Sequence, residues 1–458
     1  MRSHLEIAAL TGCLLLLSAG ASVAETFLSE EMEAVGLDPA VASALLELAP
    51  EASLAVSDWP VAPGVRQDVE LVRFDVYADD ARIVKIEGGR EVELPRSRLA
   101  FFHGRSGEDP ETRLVVTVDP DTRALEAVAT TAEGTRRLVR DDKAGYVVAT
   151  AEALHPKGGE PSWACGHTSD GLAGAGITGT PSPLDLGTGT PAVISSLHTA
   201  VIAVDTDNEL LSQKFGDDTT AATNYVANLI ARMSIMYERD LLVRLVQGFT
   251  VLRVSTTPDP YNQSGTGGAD GAKLQEFTNY WRSGCGVQCT GVSRALVMML
   301  SGKQASASSA SGIAWIGGLC SSQSDYSFSQ VFKFAQDTSA NDASLVGHEL
   351  GHNFGSDHTH CYSPPIDTCF SGESGCYSGA TSCPASFTYN GVTNITGTSM
   401  SYCNRIGGCG RKEVFHPRTV ELLAPIVQAR VGLCILPLAA LNALFGNGFE
   451  TGTTLLWQ

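Results

Sequence analysis

His348-Glu349-Leu350-Gly351-His352-Asn353-Phe354-Gly355-Ser356-Asp357-His358 is the stretch around which the chain is organised. Residues four apart share one face of an α-helix, so His348 and His352 can aim two imidazoles at one metal ion. Glu349, beside the first of them, can reach a water at that ion without being a ligand itself. Gly355 can end the helix by turning left-handed, because it has no Cβ to clash. That turn brings His358 back as a third ligand. Three protein ligands leave the fourth zinc position for water, which is the arrangement of a catalytic rather than a structural site. One catalytic Zn2+ is the expected cofactor, and a calcium site is left open.

A bare His-Glu-x-x-His is short enough to arise by chance on a helix. Here Gly355 and His358 extend it, and Ser399-Met400-Ser401-Tyr402 follows. Together these residues resemble the metzincin metallopeptidases, and His352 to His358 looks most like the reprolysin (adamalysin) group. The resemblance implies an α/β (α+β) catalytic domain with a mixed sheet and a zinc-binding active-site helix, preceded by a β-rich prodomain. It implies hydrolysis of peptide bonds in protein or peptide substrates, with His348, His352 and His358 as zinc ligands and Glu349 as general base. Met400 is expected in a turn under the metal, an apolar floor and not a ligand. Tyr402 sits where astacin- and serralysin-like enzymes place a tyrosine that helps stabilise the oxyanion, a role reprolysins generally lack. One departure is visible. Reprolysins usually carry an aspartate directly after the third histidine, and this chain has Thr359, which changes the expected support around the ligands but not the ligands.

The chain has 458 residues, a formal charge of −19 and 12 cysteines. So acidic a protein offers no obvious surface to phosphates, and nucleic acid is not an expected partner. Residues 1–24 read as a signal peptide: Arg2 leads, Ile7 to Leu17 is apolar, and Ser22-Val23-Ala24 suits cleavage. Leu10-Thr11-Gly12-Cys13 imitates a lipoprotein box, although the apolar stretch continues past Cys13. No other run approaches the ~20 apolar residues of a membrane span. A secreted protein is expected, working as a monomer. Cys13 falls in the signal peptide and Cys165 stands apart. The remaining ten, from Cys285 to Cys434, are an even set and read as disulfides in an exported chain, with structural zinc ligation at Cys285 and Cys289 as the alternative.

Residues 25–165 read as a prodomain, with strands over Val69–Val76, Arg82–Ile86, Leu114–Val118 and Leu125–Thr130. Trp163-Ala164-Cys165-Gly166-His167 resembles the cysteine switch of metzincin zymogens: a thiolate binds zinc strongly, so Cys165 in the open position displaces the catalytic water. A buried unpaired thiol, or a bridge to the mature part, is the alternative. Residues 166–194 are rich in Gly, Thr and Pro and read as a linker and activation region. The catalytic domain is expected over 195–434. Its strands fall at His198–Val204, Leu242–Val254, Arg294–Leu300 and Ser311–Cys320, and its helices over 218–239, 271–282 and 418–431, the last interrupted at Pro425. Ile313, Ala314, Trp315, Ile316 and Gly317 lie on a stretch resembling the strand that lines the reprolysin cleft, where an extended peptide can add as another strand. His360 is expected in a surface loop. Residues 435–458 read as a short C-terminal tail.

Overall fold

The computed structural model describes residues 31–131, 133–150, 163–165, 195–262, 268–285, 288–303, 310–331, 339–389, 392–394, 397–406 and 409–438. The expected signal peptide, the linker 166–194 and the tail beyond 438 lie outside them.

The N-terminal part runs β1 (Met32–Val35), α1 (Pro39–Glu47), β2 (Ser53–Ala62), β3 (Val65–Phe74), β4 (Ile83–Glu87), β5 (Arg90–Leu94), β6 (Ala100–Ser106), β7 (Arg113–Val118), β8 (Leu125–Thr131), β9 (Gly134–Asp141) and β10 (Gly145–Thr150). Eight of these strands form an antiparallel sheet in the order β1-β10-β9-β8-β7-β6-β3-β2. Successive strand residues point to opposite faces, so Val69 and Leu71 of β3 turn together into a core with Trp59, Phe102, Leu114 and Val116. Helix α1 covers that core with Leu45; Asp38 caps it by accepting from Ala40 N, and Pro39 supplies the preset first turn.

The second part contains β11 (Trp163–Cys165), β12 (His198–Thr206), α2 (Asn208–Phe215), α3 (Thr219–Leu241), β13 (Val243–Arg253), α4 (Gly271–Arg282), β14 (Leu296–Ser301), β15 (Ala310–Ala314), β16 (Tyr326–Gln330), α5 (Ser339–Phe354), β17 (Phe387–Tyr389), β18 (Val392–Asn394), α6 (Pro417–Arg430) and β19 (Ile435–Pro437). Its sheet is mixed, as expected, in the order β11-β15-β16-β14-β12-β13-β4-β5, with β19 beside β12. Helices α3 and α5 share one hydrophobic core, and Leu274, Phe277 and Trp281 of α4 belong to the other.

Two elements cross the boundaries that composition suggested. The hairpin β4–β5 leaves the N-terminal sheet and adds to the second one, Ile83 to Ile86 pairing in parallel with Thr250 to Arg253. Past Cys434, Ile435 to Pro437 pair with His198 to Ala200, so the expected tail begins with a strand of the domain. Helix α3 lies between the two sheets, and both of its faces are occupied. Tyr225, Leu229, Ile230 and Met233 enter the core of the second part. Asn224 Oδ1 accepts from Ser97 Oγ at 2.6 Å and Asn228 Oδ1 from Thr117 Oγ1 at 2.8 Å, both from the N-terminal part.

Helix α6 runs through Pro425 without a break. The proline removes one donor, but the residue four back, Glu421, is exposed, and water can satisfy its carbonyl. All ten downstream cysteines pair, as Cys285–Cys289, Cys320–Cys434, Cys361–Cys376, Cys369–Cys403 and Cys383–Cys409. The zinc alternative for Cys285 and Cys289 is thereby overturned, since a bridged sulfur is no thiolate. Among the described residues no helix is long and apolar enough to cross a membrane.

Candidate metal centre

Helix α5 is bolted to its surroundings by polar side chains. Tyr225 OH donates to Asp342 Oδ2 at 2.7 Å, and Tyr237 OH donates to the Gly347 carbonyl at 2.7 Å. Asn353 Nδ2 donates to the carbonyls of Trp315 and Tyr326 at 2.9 and 3.0 Å. The helix stops at Gly355, whose φ of 119° is one that L side chains rarely adopt. The chain then doubles back so that His358 faces the helix.

His348 and His352 lie one turn apart on α5, and the His352 Nε2 is 3.1 Å from the His348 Nε2 and 3.2 Å from the His358 Nε2. Each Nδ1 faces an acceptor: the Ser399 carbonyl at 2.7 Å, the Ser356 carbonyl at 2.7 Å, and the Glu373 Oε2 at 2.8 Å, for His348, His352 and His358 respectively. A carbonyl or carboxylate cannot donate, so every Nδ1 carries a proton and Nε2 is the atom left to face a metal. Burial, with His358 nearby, lowers the His352 pKa to about 3, and burial together with His352 and His358 puts His348 well below its usual value. Three Nε2 atoms this close repel one another, whether as lone pairs or as N–H groups, unless a cation lies between them. The donor set fits zinc, and the hydrogen bonds on Nδ1 are the support that metal-bound histidines require.

Cys165 is the fourth member of the cluster. Its buried sulfur lies 3.5 Å from the His352 Nε2, and its ligand atom and those of the three histidines all fall within 4.8 Å of one another. Strand β11 puts it there, because Cys165 pairs with Gly312 on the edge of β15. The thiol donates to Glu349 Oε2 at 3.4 Å, while Oε1 finds no hydrogen-bond partner among the described residues. Burial raises the Glu349 pKa to about 8, against the pull of the Cys165 bond. A Cβ at Gly312 would collide with the Glu349 carboxylate, so a side chain here would push Glu349 out of its place.

Met400 is fully buried, and a Cβ on Gly351 would sit 2.5 Å from its sulfur, which places the thioether directly beneath the histidine helix. The Met400 carbonyl accepts from Thr359 N and Oγ1 at 3.0 and 3.2 Å, so Thr359 braces the methionine turn. Tyr402 is buried with its ring 4.6 Å from that of His358, and its hydroxyl donates to the Cys165 carbonyl at 3.0 Å. Burial and the neighbouring Cys165 and Glu349 push its pKa far up, keeping it a neutral donor.

Three sequence expectations need correction or completion. Of Ile313 to Gly317, only Ile313 and Ala314 are strand. Trp315 and the residues after it turn under the helix, where Gly317 N donates to the His352 carbonyl at 2.8 Å and Leu319 N to the Asn353 carbonyl at 2.9 Å. Strand β11 already takes the neighbouring edge at Ala310 to Gly312. His360 is not a surface residue: it is 1% exposed, and its Nε2 donates to Glu373 Oε2 at 2.9 Å. Glu373 itself was missed. Its carboxylate supports His358 from a loop closed by Cys361–Cys376, and the cue in the sequence is no more than an acid among cysteines whose pairing is open.

Comparison with known proteins gives a family profile over part of the chain. A search of the curated proteins finds no match. Among solved structures, one described as "Structure of a chaperone-substrate complex" is 12% identical at a TM-score of 0.29, over 66% of this chain and 39% of that one. This chain therefore spans well under half the length of that structure. Residues 196–401 match the reprolysin profile described as metallo-peptidase family M12, which supports a zinc-dependent M12 peptidase in this part of the chain.

Proposed function

We propose that the chain is a secreted zinc endopeptidase made as a latent precursor. The observation that carries this reading is the convergence of three Nε2 atoms and the Cys165 sulfur beside a buried carboxylate. His348, His352 and His358 would hold the ion. When bound, zinc acidifies a water and polarises the scissile carbonyl. Glu349 accepts the proton of the attacking water and returns it to the leaving amine, a base then an acid at one carboxylate. A pKa raised towards neutrality by burial suits both halves of that task. Met400 floors the site. Tyr402, once its hydroxyl is released from the Cys165 carbonyl, is placed to donate to the developing oxyanion.

Latency follows from β11. Its sulfur takes the position that the attacking water needs, and its backbone takes the edge of β15 beside the site. Residues 25–165 act as the prodomain, cleavage falls within 166–195, and an extended substrate then uses the vacated edge at Ser311 to Ala314. Five disulfides suit an oxidising compartment and hence export. The protein acts as a monomer on protein or peptide substrates.

Metal analysis of the processed protein, with hydrolysis of a generic protein substrate before and after chelation, tests this reading. One zinc per chain and activity lost with the metal are expected. A metal-free protein, or undiminished cleavage after stripping, would overturn it. Zinc without hydrolysis would point instead to a binding protein built on the same scaffold.

A further inference from the structure

The third ligand of this site has no aspartate after it, yet its Nδ1 is not left to solvent. Glu373 reaches it from fifteen residues downstream and uses one oxygen for two imidazoles, accepting from His358 Nδ1 at 2.8 Å and from His360 Nε2 at 2.9 Å. The two rings lie parallel, 8° apart with centroids at 5.3 Å, so the carboxylate joins them side by side. The carboxyl side chain is 10% exposed and both imidazoles less than that. Little water is therefore available to replace it.

What holds Glu373 there is a closed loop. Cys361 and Cys376 bridge its ends, Tyr377 N donates to the His360 carbonyl at 3.0 Å, and Ile366 N donates to the Thr359 carbonyl at 2.9 Å. A loop so stapled loses little freedom when its carboxylate engages, because that freedom is already gone. Thr359, at the position where the aspartate would stand, is used otherwise: it braces Met400.

We propose that Glu373 is a positioning residue for the metal site, fixing the tautomer and direction of His358, and that the Cys361–Cys376 bridge is what holds it in reach. This rests on the zinc reading above. A carboxylate on the far nitrogen of a ligating histidine fixes the ring and raises its basicity, and losing such a partner typically costs about 10–100-fold in metal affinity. His360 is the second guest of the same oxygen and steadies the carboxylate, not the metal.

The test uses the full-length precursor carrying C165A, with zinc affinity read by competition against a chromophoric chelator. E373A is expected to weaken zinc about 10–100-fold. E373Q keeps an oxygen that accepts both N–H groups and nearly the same shape, so it is expected to recover much of that loss. The cobalt-substituted visible spectrum of E373A should shift, because it reports the ligand field at His358 and is indifferent to loop stability as such. Removing the bridge in C361S/C376S should weaken zinc in the same direction, and adding E373A to it should cost little more. A parent protein that binds no zinc would defeat the functional reading, whatever Glu373 does. A parent that binds zinc, with E373A and E373Q matching it in affinity and cobalt spectrum, would overturn the positioning role. Losses that simply add would overturn the role given to the bridge.

Discussion

The Cys165 sulfur lies 3.5 Å from the His352 Nε2, across 187 residues of chain. Nothing local brings them together. The contact exists because β11 is registered on β15 so that Cys165 faces Gly312, the glycine that also clears space for Glu349. If that contact enforces latency, C165A precursor should hydrolyse a protein substrate without processing, while the parent precursor stays silent. Y402F, which removes the hydroxyl holding the Cys165 carbonyl, should make the Cys165 thiol of the precursor react faster with a thiol reagent, a readout that does not depend on Tyr402 in catalysis. A C165A precursor that remains inactive despite bound zinc would show that latency lies elsewhere.

Glu349 and Gly312 should fail together. E349Q is nearly isosteric and ought to keep zinc while losing about 10²–10⁴-fold in kcat, the usual worth of a positioned acid or base. G312A places a methyl group against the same carboxylate and should also lower kcat, with the metal retained, by forcing Glu349 aside. Zinc content and steady-state kinetics on the processed enzyme separate the two effects from loss of metal.

Acid should loosen the seam between the two parts. Glu238 is buried on α3, accepts from His103 of the N-terminal sheet at 3.1 Å, and pairs with Arg244, itself paired to Glu51. Burial alone would raise its pKa, but Arg244 and His103 hold it at about 2. A carboxyl depressed on folding contributes stability above its unfolded value of 4.5, and that contribution is lost as pH falls from 4.5 towards about 2. E238Q should therefore be less stable than the parent near neutrality, by about 3 kcal/mol, because Arg244 and His103 stay largely buried without their carboxylate. The gap should close in strong acid, and thermal melts of both proteins across pH would show it. A constant gap would remove the charge from the explanation.

The Cys320–Cys434 bridge joins residues 114 apart, pinning the turn after β15 to the chain just before β19. Closing a loop of that length removes enough freedom from the unfolded chain to be worth about 5 kcal/mol. Replacing both cysteines by serine should lower the unfolding midpoint in urea with the zinc site intact before unfolding begins. An unchanged midpoint would mean that the neighbouring strand pairs already hold this corner.

Local spacing made half of the metal centre readable. His348 and His352 are one helical turn apart wherever that helix lies, and Gly355 announces its end. Helix α3 was equally plain, since Tyr225, Val226, Leu229, Ile230 and Met233 recur at three and four. What could not be read is long-range. The partner of Ile83 is Thr250, and no periodicity in either strand names the other. Glu373 reaches His358 only through a bridge whose pairing ten cysteines leave open. The apolar run 311–320 looked like one strand because burial and strand character share a signature. Its second half is buried under α5 by hydrogen bonds to His352 and Asn353 instead.

Ribosomes make β4 and β5 long before they make β13, the strand on whose edge that hairpin pairs through β4. A recombinant enzyme started at residue 195 would therefore carry a naked margin along Thr250 to Arg253, with Val84 and Ile86 missing from its interior. Such a fragment should clump when refolded alone. Supplying residues 25–165 as a separate polypeptide should restore soluble material, by lending β13 the edge partner on which the second sheet is built.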